Sequence, residues 1–167
     1  EVLEASRLVT KIREMDKPWI AAVNGAAAGG GCNMALGCDF AIAAEKAKFI
    51  QPFINLAIVP DTAGMWTLSK LVGETRAKEL IMTGRPVGAQ EALQYGMVLK
   101  VVPDENLRDE AMAFARELAA KPPEPVGFDE ATDASHRCPW LTDHPYPQCF
   151  VCGTDRPDGL RIFPGEL

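Results

Sequence analysis

Three observations predict an α/β fold. An apolar run from Trp19 to Val23 leads into a turn, Gly25 to Gly31, built only of Gly and Ala. Two more short apolar runs, Asp39 to Ala44 and Val98 to Val102, are separated by helix-like segments. The stretch from Asp104 to Lys121 repeats Leu107, Ala111, Phe114, Ala115, Leu118 and Ala119 on one helical face, as a helix packed on a core does. Short continuous apolar strands alternating with helices are the pattern of a sheet covered by helices.

In chain order, the periodicity predicts a helix over Val2 to Met15, ended by Pro18, and then the strand at Trp19 to Val23. After the glycine turn comes a short helix, Cys32 to Leu36, and the buried strand Asp39 to Ala44. Helices follow at about Thr62 to Leu71, Thr75 to Met82 and Ala89 to Tyr95, then the strand Val98 to Val102. Asp104 is the N-cap candidate of the long amphipathic helix, since its carboxylate suits the open amides of a first turn.

The chain has 167 residues, 47% of them apolar and 24% charged, which is the balance of one folded domain rather than a disordered or fibrous chain. The longest uncharged run, Pro18 to Cys38, contains Asn24, Asn33 and three consecutive glycines, so no membrane span is expected. A net charge of -6 provides no basic patch for phosphates, and nucleic acid is not an expected partner. The opening segment is charged throughout, unlike a secretory signal. With an odd count of 5 cysteines, this points to reduced thiols and a cytoplasmic location. Composition shifts at Pro122 and Pro123. Residues 1–123 are nearly balanced in charge, whereas 124–167 are acidic and hold most of the cysteines and both histidines. Residues 1–123 are therefore expected to form the domain and 124–167 an irregular tail.

The Gly25 to Gly31 turn has two readings. Its small residues satisfy a tight turn, or they let a ligand approach amides that head a helix and favour an anion. It has neither the Lys-Ser/Thr ending of a phosphate loop nor the spacing of a dinucleotide fingerprint.

Lys17 to Gly25 (KPWIAAVNG), Ala28 to Leu36 (AGGGCNMAL) and Cys38-Asp39 resemble the signature of the crotonase, or enoyl-CoA hydratase/isomerase, superfamily. The likeness continues through Ala47-Lys48-Phe49, Ile58 to Asp61, Leu71-Val72-Gly73, Arg76-Ala77, Thr83-Gly84-Arg85 and Ala89 to Pro103. It implies a crotonase-like spiral that this chain enters partway, as a fragment or a fusion, with the usual C-terminal helices replaced by the tail. It also implies an acyl-CoA substrate, no cofactor beyond the coenzyme A that the substrate carries, and a trimer-based homo-oligomer. The thioester becomes an enolate held by two backbone amides. One of these is Gly30, and the other lies on an earlier loop. Gly29, Asn33 and Phe53 are expected to contact the acyl group.

Hydratases of this family activate water with two glutamates, whose places fall on Asn33 and Phe53; neither exchanges a proton at neutral pH. Asp61, in IVPDTAGMWTL, matches the phenylacetate-pathway isomerase branch, where an Asp moves the proton. Val59, Pro60 and Ala63 would surround it with apolar groups in a buried site. Its other reading is the N-cap of a helix starting at Thr62. The same stretch is also similar to halobenzoyl-CoA dehalogenases, whose Asp is a nucleophile, but Phe53 stands where those enzymes have Trp, and His136 and His144 lie in the tail. Hydration, dehalogenation and a non-catalytic CoA-thioester-binding role are the alternatives to isomerisation.

In the tail, Cys138, His144, Cys149 and Cys152 offer C-x5-H-x4-C-x2-C spacing for zinc. The stretch CFVCG followed by RPDGLRIFPG is similar to the entry of hotdog-fold thioesterase-like proteins. A loosely ordered extension with incidental thiols is the third reading.

Overall fold

A computed structural model describes residues 18–61 and 63–120, with the backbone of two strands beyond them, Gln148–Cys152 and Leu160–Ile162. The helix expected over Val2 to Met15 lies outside the described residues. Strand β1 (Trp19–Val23) is followed by β2 (Ala26–Ala28), helix α1 (Gly30–Gly37), β3 (Phe40–Ala44) and β4 (Lys48–Ile50). A 3-10 turn (Pro52–Leu56) leads to α2 (Gly64–Val72), α3 (Glu74–Thr83), β5 (Pro86–Gly88), α4 (Ala89–Gln94) and β6 (Lys100–Val102). A second 3-10 turn (Asp104–Asn106) precedes α5 (Leu107–Ala119), and the described elements end with β7 (Gln148–Cys152) and β8 (Leu160–Ile162).

Two sheets form. The larger has the order β6-β3-β1-β7-β8 and the smaller β2-β4-β5. In the larger one β1 runs parallel to β3, in register from Ile20↔Phe40 to Val23↔Ala43, and β6 runs parallel to β3. Strand β1 is buried along its whole length, which explains its unbroken apolar sequence. Alternation sends Ile20 and Ala22 to one face, where Leu107, Ala111 and Ala115 of α5 cover them. Ala21 and Val23 point to the opposite face, against Cys32, Ala35 and Leu36 of α1 and Leu68 of α2. Phe114 of α5 meets Phe40 edge-on, with ring centroids 5.0 Å apart.

Two expectations change. Asp104 does not cap α5; it opens the 3-10 turn, and its carboxylate accepts a hydrogen bond from the Lys46 amide (3.2 Å) while pairing with Lys46 Nζ (3.6 Å). A carboxylate beside the β3–β4 turn finds a cation there, and this competes with the helix end. The tail is also not irregular throughout, because β7 pairs parallel with β1 from Trp19↔Gln148 to Val23↔Cys152, and β8 pairs antiparallel with β7. The backbone groups on the outer edge of β1 require partners, and the β-prone Cys-Phe-Val-Cys supplies them despite the prolines around it.

Candidate active site

The turn into α1 is held by its backbone. Gly29 takes φ 54 and ψ -125, a conformation open to glycine and strained for L side chains. Its amide donates to the Ile50 carbonyl of β4 (2.9 Å), and its carbonyl accepts the first helical bond from Asn33 (3.0 Å). The Phe53 ring packs beneath: a methyl added to Gly29 would lie 3.6 Å from Phe53 Cζ. Phe53 is buried, so it supports the turn from below rather than standing open as an acyl contact.

Gly30 and Gly31 are half-buried, and their amides head α1 without intrahelical acceptors, at the positive end of the helix dipole. A methyl on Gly31 would have nothing within 4 Å, and one on Gly30 would meet a single described atom, Oδ1 of Asp61, at 4.0 Å. The first turn of α1 therefore opens onto space bounded by the Asp61 carboxylate. Two residues that sequence reasoning placed together, Gly30 and Asp61, are brought together.

Asp61 sits in a segment bracketed by two alanines in the left-handed region, Ala57 (φ 55) and Ala63 (φ 58). Such conformations cost free energy and persist where the surroundings hold them. Helix α2 begins at Gly64 with Ala63 in the cap position and no side-chain capping bond, so Asp61 is not the N-cap of a helix starting at Thr62. The carboxylate is instead turned toward α1. The apolar enclosure expected from Val59 and Ala63 is not formed, since both are exposed. Asp61 itself is half-buried.

Asn33 also departs from expectation. It is 1% exposed, so it does not line an open site. Its Nδ2 donates to the Asp61 carbonyl (2.9 Å), and its Oδ1 accepts from Gln51 Nε2 (2.7 Å). The side chain is spent on joining α1, Gln51 just after β4 and the Asp61 segment. Gln51 and Gly64 were missed in the sequence. The signal for Gly64 was a glycine inside a helix, where propensity disfavours it and its backbone does not need it.

Two concavities elsewhere, about 490 Å³ at Val72 to Arg76 and Glu79, and about 410 Å³ between α1, β3 and the α4–β6 connection, include neither Gly30 nor Asp61. Among the described residues no cluster of His, Cys, Asp and Glu could hold a metal. Cys138 and His144 lie outside the described residues, and Cys149 and Cys152 are on β7, in register with Ile20 and Val23.

The described site thus combines a small-residue turn at the head of α1 with a carboxylate oxygen, Asp61 Oδ1, 4.0 Å from the methyl position of Gly30. The chain belongs to the enoyl-CoA hydratase/isomerase family, whose model matches residues 3–137. It is 44% identical over 115 residues to 1,2-epoxyphenylacetyl-CoA isomerase of Escherichia coli, and 45% identical over 115 residues to carnitinyl-CoA dehydratase of Shigella flexneri. Each alignment covers 69% of this chain and 44% of the relative. Among solved structures, enoyl-CoA hydratase of Bacillus anthracis matches with a TM-score of 0.71 and 42% identity over 72% of this chain and 46% of its own. A putative enoyl-CoA hydratase of Thermobifida fusca in complex with CoA matches with a TM-score of 0.70 and 36% identity, over 72% of this chain and 47% of its own. The chain thus spans a little under half the length of these relatives. As these family members are enzymes, the match makes this an enzyme-family chain with a crotonase-type fold.

Proposed function

We propose that this site isomerises a double bond in an acyl-CoA thioester, with Asp61 as the proton carrier. The thioester oxygen lies against the Gly30 amide. Asp61 takes a proton from a carbon next to the conjugated system, and the electron pair moves into an enolate whose oxyanion the amide stabilises. The acid form of Asp61 then returns the proton to a different carbon, so the carboxylate is regenerated and the substrate gains and loses nothing. The observation that carries this reading is the 4.0 Å approach of Asp61 Oδ1 to the methyl position of Gly30.

Positions 33 and 53 speak against hydration. The two-carboxylate route to hydration needs acid/base groups at both positions, whereas Asn33 is buried with its amide engaged at both ends and Phe53 is a buried hydrocarbon. The Escherichia coli relative is named an isomerase and the Shigella flexneri relative a dehydratase, and the CoA thioester common to both names supports the expected substrate class.

Asp61→Asn removes the base while preserving size and polarity. Isomerisation of an enoyl-CoA should fall ~10² to 10⁴-fold, the usual worth of general acid-base catalysis, with the thermal melt unchanged. Near-parental turnover in this variant would refute the assignment.

A further inference from the structure

The buried amide of Asn33 has a direction, and the direction identifies its task. The Asp61 carbonyl can only accept, so Asn33 must present Nδ2 to it, at 2.9 Å. Oδ1 then faces Gln51, which must present Nε2, at 2.7 Å. The same Nε2 lies 3.6 Å from Cys32 Sγ, and Gln51 Oε1 is left buried without a partner among the described residues. A second donor reaches the Asp61 carbonyl, since the Gly64 amide bonds it at 2.8 Å. Both lone pairs of that oxygen are used, and the peptide plane next to the Asp61 α-carbon is held from two sides.

Gly64 completes the clasp. Its backbone is not left-handed, so glycine is required here for space: a methyl would overlap the Asn33 side-chain amide. A larger residue at 64 would drive Asn33 off the carbonyl.

We infer that Asn33, with Gln51 behind it and Gly64 making room for it, is a positioning residue that sets where the Asp61 carboxylate stands relative to the Gly30 amide. The inference rests on the reading of Asp61 as the proton carrier, and it gives a position expected to hold a water-activating group a different task. Asn33 is buried, and it acts through the main chain of the base.

Two readouts test it in this protein, hydrogen exchange of the 57–64 backbone and steady-state isomerisation. In Asn33→Ala, exchange at the Gly64 amide should accelerate at least tenfold. Turnover should drop roughly 10- to 100-fold with KM unchanged, as expected when a reacting group is misplaced by about 1 Å. In the double variant Asn33→Ala with Gly64→Ala, the new methyl occupies vacated space, so the melting temperature should recover while exchange and turnover do not. Recovery of turnover with the melt would overturn the inference by showing that Asn33 only fills volume. Unchanged exchange in the single variant would overturn it as well. If Asn33→Ala fails to fold, Gln51→Ala, which leaves the Asn33 bond in place but unbraced, should show the same changes in smaller measure, and parental exchange there would count against the clasp. Faster exchange with undiminished turnover would overturn the inference, whereas the proton carrier itself is tested by Asp61→Asn, so the two failures are separable.

Discussion

Replacing Gly29 by alanine isolates backbone conformation from packing. A methyl at this position has room, with Phe53 Cζ at 3.6 Å and Pro52 Cδ at 3.9 Å, both ordinary van der Waals separations. The backbone, at φ 54 and ψ -125, is nevertheless one that an L residue adopts only under strain. Such strain costs about 1 to 3 kcal/mol. Relaxing it would mean giving up the 2.9 Å bond to Ile50 or the 3.0 Å bond from Asn33, so no cheap escape exists. Gly31→Ala is the matched control two residues on, because its methyl meets nothing within 4 Å on a helical backbone. It should be neutral or stabilising by up to about 1 kcal/mol, since glycine in a helix gives up that much relative to alanine. Urea unfolding of both variants, with equal m-values, gives the difference directly. If Gly29→Ala matched Gly31→Ala in stability, the turn would not need its left-handed residue. The account of how the Gly30 amide is aimed would then be wrong.

The remaining predictions concern the periphery. Glu91 accepts hydrogen bonds from Arg85 (3.1 Å) and Tyr95 (2.7 Å), which hold its carboxyl below the ordinary value of 4.5, the Arg85 bond contributing most. Arg85 is pushed upward chiefly by its bond to Glu79, so its charge does not titrate in this range. A lowered carboxylate adds stability that is complete above its unfolded value and lost as pH falls through the folded one. Thermal melts from about pH 6 to about pH 3 should therefore fall more steeply for the parent than for Glu91→Gln, and parallel curves would dismiss the network as a source of acid sensitivity. A double-mutant cycle on Phe40 and Phe114, which meet at 5.0 Å and 89°, should return about 0.5 to 1.5 kcal/mol of coupling, while a value near zero would mean that the pair contributes burial alone.

The sequence by itself determined three strands of the larger sheet, the helices after them and one end of the site, but not the smaller β2-β4-β5 sheet, whose three-residue strands are too short to show a period. Apolar runs mark strands because a strand buried on both faces admits no polar residue, as β1 shows along its length. The stripe of Leu107, Ala111 and Ala115 marks α5 because the helical period places those residues on one face, and they are buried there. The glycine turn was legible because its conformational demand is local. Family membership was legible because the matching motifs run through most of the described core.

Tertiary structure decided what depends on residues distant in sequence. Asn33 reaches a carbonyl 28 positions away, and Gln51 reaches Asn33 across 18, so no local pattern could convert a presumed acyl contact into a buried brace. The same holds for Asp61, whose neighbours suggested an apolar enclosure and a helix cap until the fold turned its carboxylate toward α1. It holds also for the pairing of β7 with β1, which satisfies an edge formed more than a hundred residues earlier. Local propensity and period are written in neighbouring side chains, whereas the partner of a buried polar group is chosen only when the folded chain brings distant segments into hydrogen-bonding range.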